Sequence, residues 1–394
     1  MAKDAVIVIA AAARTPMGGF QGSLSGVAAP QLGANAIKAA MERAGIAGEQ
    51  VDEVLMGCVL PAGLRQAPAR QATLGAELPL SVGATTVNKV CGSGMKTVML
   101  GHDLLKAGSA EVVVAGGMES MSGAPYLLEK ARAGMRMGHG KVMDHMFMDG
   151  LEDAYTGGAM GTFAQKTADD NGLTREQMDA FALESLRRAN AAIESGAFEA
   201  EINPVTISTR KGDVTVAIDE QPGNARPEKI PALRPAFAKD GTITAANSSS
   251  ISDGAAAVVL TTEEYAQANG LPVLAKIVGH ATHAQLPEEF TLAPVGAMTK
   301  LLNQVSWTAD DVDLFEINEA FAMVTMLAIQ QLELDAEKVN VNGGACALGH
   351  PIGCSGTRIL VTLLHALKAH GKKRGVASLC IGGGEATAMA IELA

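Results

Sequence analysis

Residues 87–100, VNKVCGSGMKTVML, place a cysteine between a short apolar run and a Gly-Ser-Gly turn that opens a helix-like pattern. A cysteine at a helix N-terminus faces the positive end of the helix dipole, which lowers its pKa and favours the thiolate. Cys91 therefore reads as a nucleophile. It also fits a small buried cysteine at a tight strand-to-helix turn. In residues 342–356, NGGACALGHPIGCSG, His350 lies between Gly349 and Gly353 and precedes Pro351. Such a loop is held in a special shape and presents its histidine; a histidine satisfied within a turn is the alternative. Cys346, His350 and Cys354 recur every four residues, a spacing that would align three zinc ligands on a helix. Gly349 and Pro351 oppose a continuous helix, and no fourth ligand follows at a zinc-finger spacing. No metal centre is expected here.

Two more segments carry polar or nucleophilic atoms out of apolar runs. SLCIGGGEA, residues 378–386, ends a strand at Cys380 and enters a triple-glycine turn. The glycines lack the spacing of a dinucleotide-binding loop, and no ribose-binding acid follows about 20 residues later. The turn suits an array of backbone N–H groups able to hold a developing oxyanion, or a glycine-rich strand exit. EINEAFA, residues 316–322, ends a strand at Asn318, which either caps the next helix or points into a cleft; position alone favours the cap.

These residues need elements to bring them together, and the chain supplies a repeat. Residues 32–58 and 295–319 each read as a helix, a loop, then Val-Asp and an apolar strand; Gly57 falls opposite Asn318. The turn-and-helix after Cys91 matches GCSGTRILVTLLHAL from Gly353, and EVVVAGGMES from Glu111 matches ASLCIGGGEA from Ala377. Three matches in the same order indicate a duplicated α/β unit in which helices cover layered sheets. Residues 174–195 read as a helix opened by a capping box of Thr174 and Gln177. GAAAVVLTT, residues 254–262, closes the first copy as a strand. Strand ends of packed α/β layers cluster on one face, so Cys91, Asn318, His350 and Cys380 are expected to meet there. Two thiols, an imidazole and an amide suggest covalent thioester chemistry.

Bulk properties narrow the class. The 394 residues exceed one ordinary core, and 48% hydrophobic with 19% charged residues suits a globular chain. A net charge of −11 argues against a dedicated nucleic-acid binder. Five cysteines, an odd and low count, point to a reducing, cytoplasmic setting without a disulfide framework. No apolar run reaches the ~20 residues of a membrane span. Residues 5–13, AVIVIAAAA, could pass for the apolar stretch of a secretory signal. Asp4 interrupts the basic start such a signal has, and residues 6–9 read as a buried first strand.

The chain resembles the thiolase family. The carrying segments are RTPMGGFQGSL, VNKVCGSGMK, GGMESMS, NEAFA, NGGACALGHPIGCSG and CIGGGEA, and the likeness runs over essentially the whole chain. The resemblance implies an α/β fold: a five-layered αβαβα core of two duplicated halves with an inserted loop domain. The expected boundaries are 1–121 plus 245–270 for the N-terminal half, 122–244 for the loop domain that binds coenzyme A (CoA), and 271–394 for the C-terminal half. It implies that Cys91 takes the acyl group as a thioester, that His350 activates it, and that Cys380 moves the α-proton of the second acetyl-CoA. Asn318 would hold a water that, with His350, forms one oxyanion hole; the N–H groups of Cys91 and Gly382 would form the other. Ser249, Arg226 and Met160 would contact CoA. CoA thioesters enter as substrates, with no covalently bound cofactor.

The activity so implied is the reversible condensation of two acetyl-CoA to acetoacetyl-CoA and CoA. A thiolase acting on longer 3-ketoacyl-CoAs in fatty-acid breakdown is the alternative, and a non-catalytic acyl-CoA carrier on the same fold is an alternative of another class. Ala159, Met160 and Gly161 stand where short-chain biosynthetic members carry His-Met-Gly. A basic residue of the family is replaced around Gly223, with Arg226 as its substitute. Cys346 and Cys354 read as packing variants. A homo-oligomer, a dimer of dimers, is expected, with residues 128–145 as the tetramer contact; no nucleic acid or membrane partner is.

Overall fold

The computed structural model describes residues 5–394; Asp4 lies outside them. Continuous apolar runs become strands buried on both faces. β1 (Ile7–Arg14) is buried at every residue, so the stretch that resembled a signal runs as a strand. In chain order follow β2 (Gly18–Gly19), β3 (Glu53–Gly57), β4 (Gly83–Val87) and β5 (Val112–Ser120). Two small hairpins come next, β6 (Tyr126–Leu127) with β7 (Met143–Asp144) and β8 (Val205–Thr209) with β9 (Gly212–Val216). The chain then supplies β10 (Ser252–Thr262), β11 (Ala275–Ala284), β12 (Leu314–Ile317), β13 (Arg374–Ile381) and β14 (Glu385–Leu393).

The main sheet runs β12-β13-β14-β11-β1-β10-β5-β3-β4, with β2 beside β10. Its two ends repeat one another. β3 pairs parallel with β5 as β12 does with β13, β5 pairs antiparallel with β10 as β13 does with β14, and β10 meets β1 as β14 meets β11. The β1–β11 pairing, Val8 opposite Lys276 and Ile9 opposite Ala275, joins the halves into one sheet. β4 has only a shadow in the second half, a parallel bridge between Phe315 and Val339.

The helices Ser93–Ala107 and Ser355–Ala369 pack on one another and on strands of both halves, forming the middle layer. Met95, Val98, Ile359, Leu363, Ala377 and Met389 share its core. A helix packed between the two halves of the sheet must be apolar nearly all round, and Ser355–Ala369 buries twelve residues, Arg358 among them. The helix Ala29–Ala44 covers β1, β5 and β10 on one outer face, and Ala293–Val305 covers β11, β13 and β14 on the other. The layers therefore alternate αβαβα. Between β5 and β10 lie the two hairpins and the helices Met160–Asp170 and Arg175–Glu194. The second starts at the predicted capping box: Gln177 N–H donates to Thr174 Oγ1 at 3.2 Å, and Thr174 N–H donates to Gln177 Oε1 at 2.9 Å. No helix among the described residues is long and apolar enough to cross a membrane.

Candidate active site

Cys91 ends a tight loop that follows β4. Val90 N–H donates to Asn88 Oδ1 at 2.9 Å, and Ser93 Oγ donates to the Val90 carbonyl at 2.6 Å. These bonds hold Val90 at φ +46°, a left-handed conformation that a β-branched residue rarely adopts and that costs ~1–3 kcal/mol. Strain of this kind, one residue before Cys91, fixes where the thiol points. The helix starts at Ser93, two residues beyond, and the dipole argument is overruled. Burial pushes the Cys91 thiol up to about 11, against the N–H groups of Gly382 and of Cys91 itself, which bond the sulfur and lower it.

His350 sits in a loop made by two glycines. Gly349 is at φ +97°, and a Cβ there would run into the Ser252 hydroxyl. His350 Nδ1 lies 2.5 Å from Ser355 Oγ, whose single proton goes to the Pro351 carbonyl at 2.9 Å. Ser355 must therefore accept from Nδ1–H, which leaves Nε2 unprotonated. Nε2 is buried and has no partner among the described residues. Burial, with the Arg358 charge adding to it, lowers the His350 pKa to about 3, so the ring is a neutral base at neutral pH.

Cys380 is the penultimate residue of β13 and wholly buried. Burial raises its pKa, and the proximity of Cys91 raises it further. Asn318 follows β12 directly and is also wholly buried. It does not cap a helix: the next one begins at Ala322, with Phe321 as its cap. Both amide atoms of Asn318 lack partners among the described residues, an arrangement stable only if a water or ligand completes it.

Cys91, His350, Gly382, Met160 and Ser249 line one cavity of about 230 Å³, walled by Phe147, Phe237, Phe290 and Phe321. Met160 opens its helix against Gly382. Arg226 is not in this cavity. It lies with Lys229, Ser250 and Cys346 along a separate, more open groove. Cys346, His350 and Cys354 form no metal-ligating group among the described residues. Cys346 N–H donates to Glu319 Oε2 at 3.0 Å, and Cys354 is packed in the middle-layer core.

Two features escaped the sequence reading. Glu119, in the GGMES segment, accepts from Val59 N–H at 2.9 Å, Leu60 N–H at 3.1 Å and Gly353 N–H at 2.9 Å. It thereby ties the loop after β3 to the turn that carries His350. Burial pushes its carboxyl up to about 7 despite these three donors. Lys89 and Glu385 form an ion pair that holds the Cys91 loop to the turn of Gly382. A buried glutamate inside a recognised segment was a visible signal; the ion pair, between residues 296 positions apart, was not.

A model of the thiolase N-terminal domain matches residues 7–264, and a model of the thiolase C-terminal domain matches residues 271–393. An acetyl-CoA acetyltransferase of Escherichia coli strain K12 is 53% identical, over 98% of both chains. Among solved structures, the acetyl-CoA acetyltransferase of Bacillus anthracis superposes with a TM-score of 0.97 at 42% identity, over 99% of both chains. The thiolase Acat5 of Ascaris suum, solved in complex with coenzyme A, gives 0.94 at 43%, over 99% of this chain and all of that one. With a duplicated five-layer fold, a thiol and an unprotonated imidazole lining one cavity, and likeness along its whole length, the chain belongs to the thiolase family.

Proposed function

We propose that the protein is an acetyl-CoA C-acetyltransferase, joining two acetyl-CoA into acetoacetyl-CoA and CoA and running the reverse thiolysis. The observation that carries this reading is the convergence of Cys91, His350 and Gly382 on one apolar cavity, with Cys380 beside Cys91. In the first half-reaction His350 Nε2 takes the Cys91 proton as sulfur attacks the thioester carbonyl, and CoA leaves as the thiol with the proton of Cys380, which is left as the thiolate. In the second, Cys380 as thiolate takes the α-proton of a second acetyl-CoA. The enolate carbon attacks the acetyl-Cys91 carbonyl, and the Cys91 sulfur leaves, taking back the proton that His350 held. Asn318, through a water, and His350 hold the enolate oxygen; the N–H groups of Cys91 and Gly382 hold the tetrahedral oxyanion. Fixed donors of this kind supply much of the rate in acyl transfer. That the N–H groups of Gly382 and Cys91 lower the Cys91 pKa supports this role for them.

CoA would thread past Ser249 and Met160, with Arg226 near its phosphates and residues 122–244 carrying most of it. The halves are then 1–121 with 245–270, and 271–394. Ala159 lines the cavity, and the family resemblance puts a histidine at this position in short-chain members. That favours a second reading, turnover of longer 3-ketoacyl-CoAs. The small cavity supports acetyl as the preferred group. We further read the protein as a cytoplasmic homotetramer.

Intact mass after acetyl-CoA should show one acetyl group on the wild type and none on Cys91→Ser, whose turnover should fall ~10³-fold or more. An adduct persisting in the variant would reject Cys91. Initial thiolysis rates across acetoacetyl-CoA and longer 3-ketoacyl-CoAs separate the two chain-length readings.

A further inference from the structure

We propose that His102, Asp103 and His280 bind a first-row transition dication, with Zn²⁺ as the best chemical fit. The sequence brings no such group together; the fold does. His102 and Asp103 belong to the helix Ser93–Ala107 of the middle layer, and His280 to β11, the first strand of the second half. His102 Nδ1 lies 3.0 Å from Asp103 Oδ1, His280 Nε2 lies 3.0 Å from the same oxygen, and the two nitrogens are 3.2 Å apart. The imidazoles cross edge to face at 89°.

As hydrogen bonding alone, this triangle does not close. Each imidazole nitrogen offers either a proton or a lone pair. If both donate to the ionised Asp103 oxygen, two N–H groups face each other at 3.2 Å. If one nitrogen is unprotonated, its lone pair faces the carboxylate instead. Every protonation state with Asp103 ionised leaves one edge between like partners. A cation turns all three atoms into ligands at once. Three N/O ligands at ~2.0–2.1 Å from a tetrahedral zinc stand ~3.3 Å apart. The observed triangle is within a few tenths of an ångström of that, so an ion ~1 Å above its plane meets all three ligands with little movement. Two imidazoles and a carboxylate are the donor set of zinc and its neighbours, whereas calcium and magnesium favour oxygen. The rings are partly buried and the carboxylate half-exposed, which leaves coordination positions open to water. Bound there, the ion would tie β11 to the helix whose opposite end presents Cys91.

The test uses the full-length protein, freed of metal with a chelator and with its thiols blocked by iodoacetamide so that cysteines do not compete. Calorimetric titration with ZnCl₂ should give one equivalent bound. His280→Ala and Asp103→Asn should bind at least about tenfold more weakly, the lower end of what loss of even a supporting hydrogen bond costs a metal site. Zinc should raise the melting temperature of the blocked wild type and leave that of His280→Ala unmoved. Circular dichroism confirms that each variant is folded, and His102→Gln replaces any that is not. Absence of binding to the wild type, or equal binding by wild type and variants, would overturn the site and leave a hydrogen-bonded surface trio.

Discussion

At the scale of single residues, burial decides the chemistry. Cys91 stands two residues before a helix whose dipole favours thiolate, yet desolvation holds its pKa near 11, while His350 is held near 3. Between those values the resting pair is neutral thiol and neutral imidazole, not an ion pair. Alkylation of Cys91 by iodoacetamide should therefore keep accelerating from pH 7 past pH 9, following thiolate formation; a plateau below pH 8 would mean that the thiolate is already present. His350 also links stability to pH. Its folded pKa lies below the ordinary 6.5, so the folded chain refuses a proton that the unfolded chain takes. Its contribution is present above about 6.5 and declines toward 3 at up to ~1.4 kcal/mol per pH unit. His350→Asn should flatten part of the loss of melting temperature between pH 6 and pH 4. Arg226 belongs to this scale too. With no ion pair among the described residues and an exposed side chain, Arg226→Ala should raise KM for CoA and leave kcat nearly unchanged. Added salt should shrink the effect, and an unchanged KM at low ionic strength would move the phosphates to Lys211 or Lys229.

At the scale of elements, the site exists because loops from the two halves lock together. A Cβ on Gly117, in β5, would overlap the Gly353 carbonyl and meet Cys354 Cα at 2.9 Å. Glu119, two residues on, grips Gly353 from the same strand. Gly117→Ala should cost ~1–3 kcal/mol of stability, because the clash is with backbone, and should lower kcat by displacing the His350 turn. Glu119→Gln removes one acceptor oxygen facing N–H donors and should destabilise by a similar ~1–3 kcal/mol. Thermal melts and kcat measured side by side check both; full activity in either variant would detach this grip from catalysis. The sequence exposed the strands, the capping box at Thr174 and the loop carrying His350, since each is written in neighbouring residues. It did not expose the grip on Gly353, because glutamate and glycine meet only after the halves dock. The sign of the Cys91 shift was hidden for the same reason: the residues that desolvate the thiol are scattered along the chain. Asn318 misled by its position, since a residue ending a strand before a helix ordinarily caps it.

At the scale of the whole molecule, the duplication was the most legible feature. Repeated strand and helix patterns predicted matching sheet ends, and the sheet order displays them. The β1–β11 seam that merges the halves was not legible, since it is two short register pairs in otherwise ordinary apolar strands. Residues 126–142 expose Tyr126, Leu128, Met135, Met137 and Val142 around the small β6–β7 hairpin, with Met137 98% exposed. Apolar groups exposed within so short a segment fit the tetramer contact expected over residues 128–145. Light scattering at micromolar concentration should return a tetramer mass. Replacing Met135 and Met137 by serine should reduce it to a dimer, and a monomeric wild type would reject the assembly.

The ion pair between Lys89 and Glu385 bears on how the molecule is made. Cys91 is synthesised early, but Gly382, whose N–H reaches its sulfur, and Glu385, which anchors its loop, follow nearly three hundred residues later. Until β14 pairs with β11 and β13 with β14, the thiol lacks the Gly382 N–H and its neighbour Cys380. A ribosome-bound chain stalled before residue 374 should thus be unable to take an acetyl group from acetyl-CoA. Reactivity should then arrive with the closing strands, and acetylation of the stalled chain would reject this order.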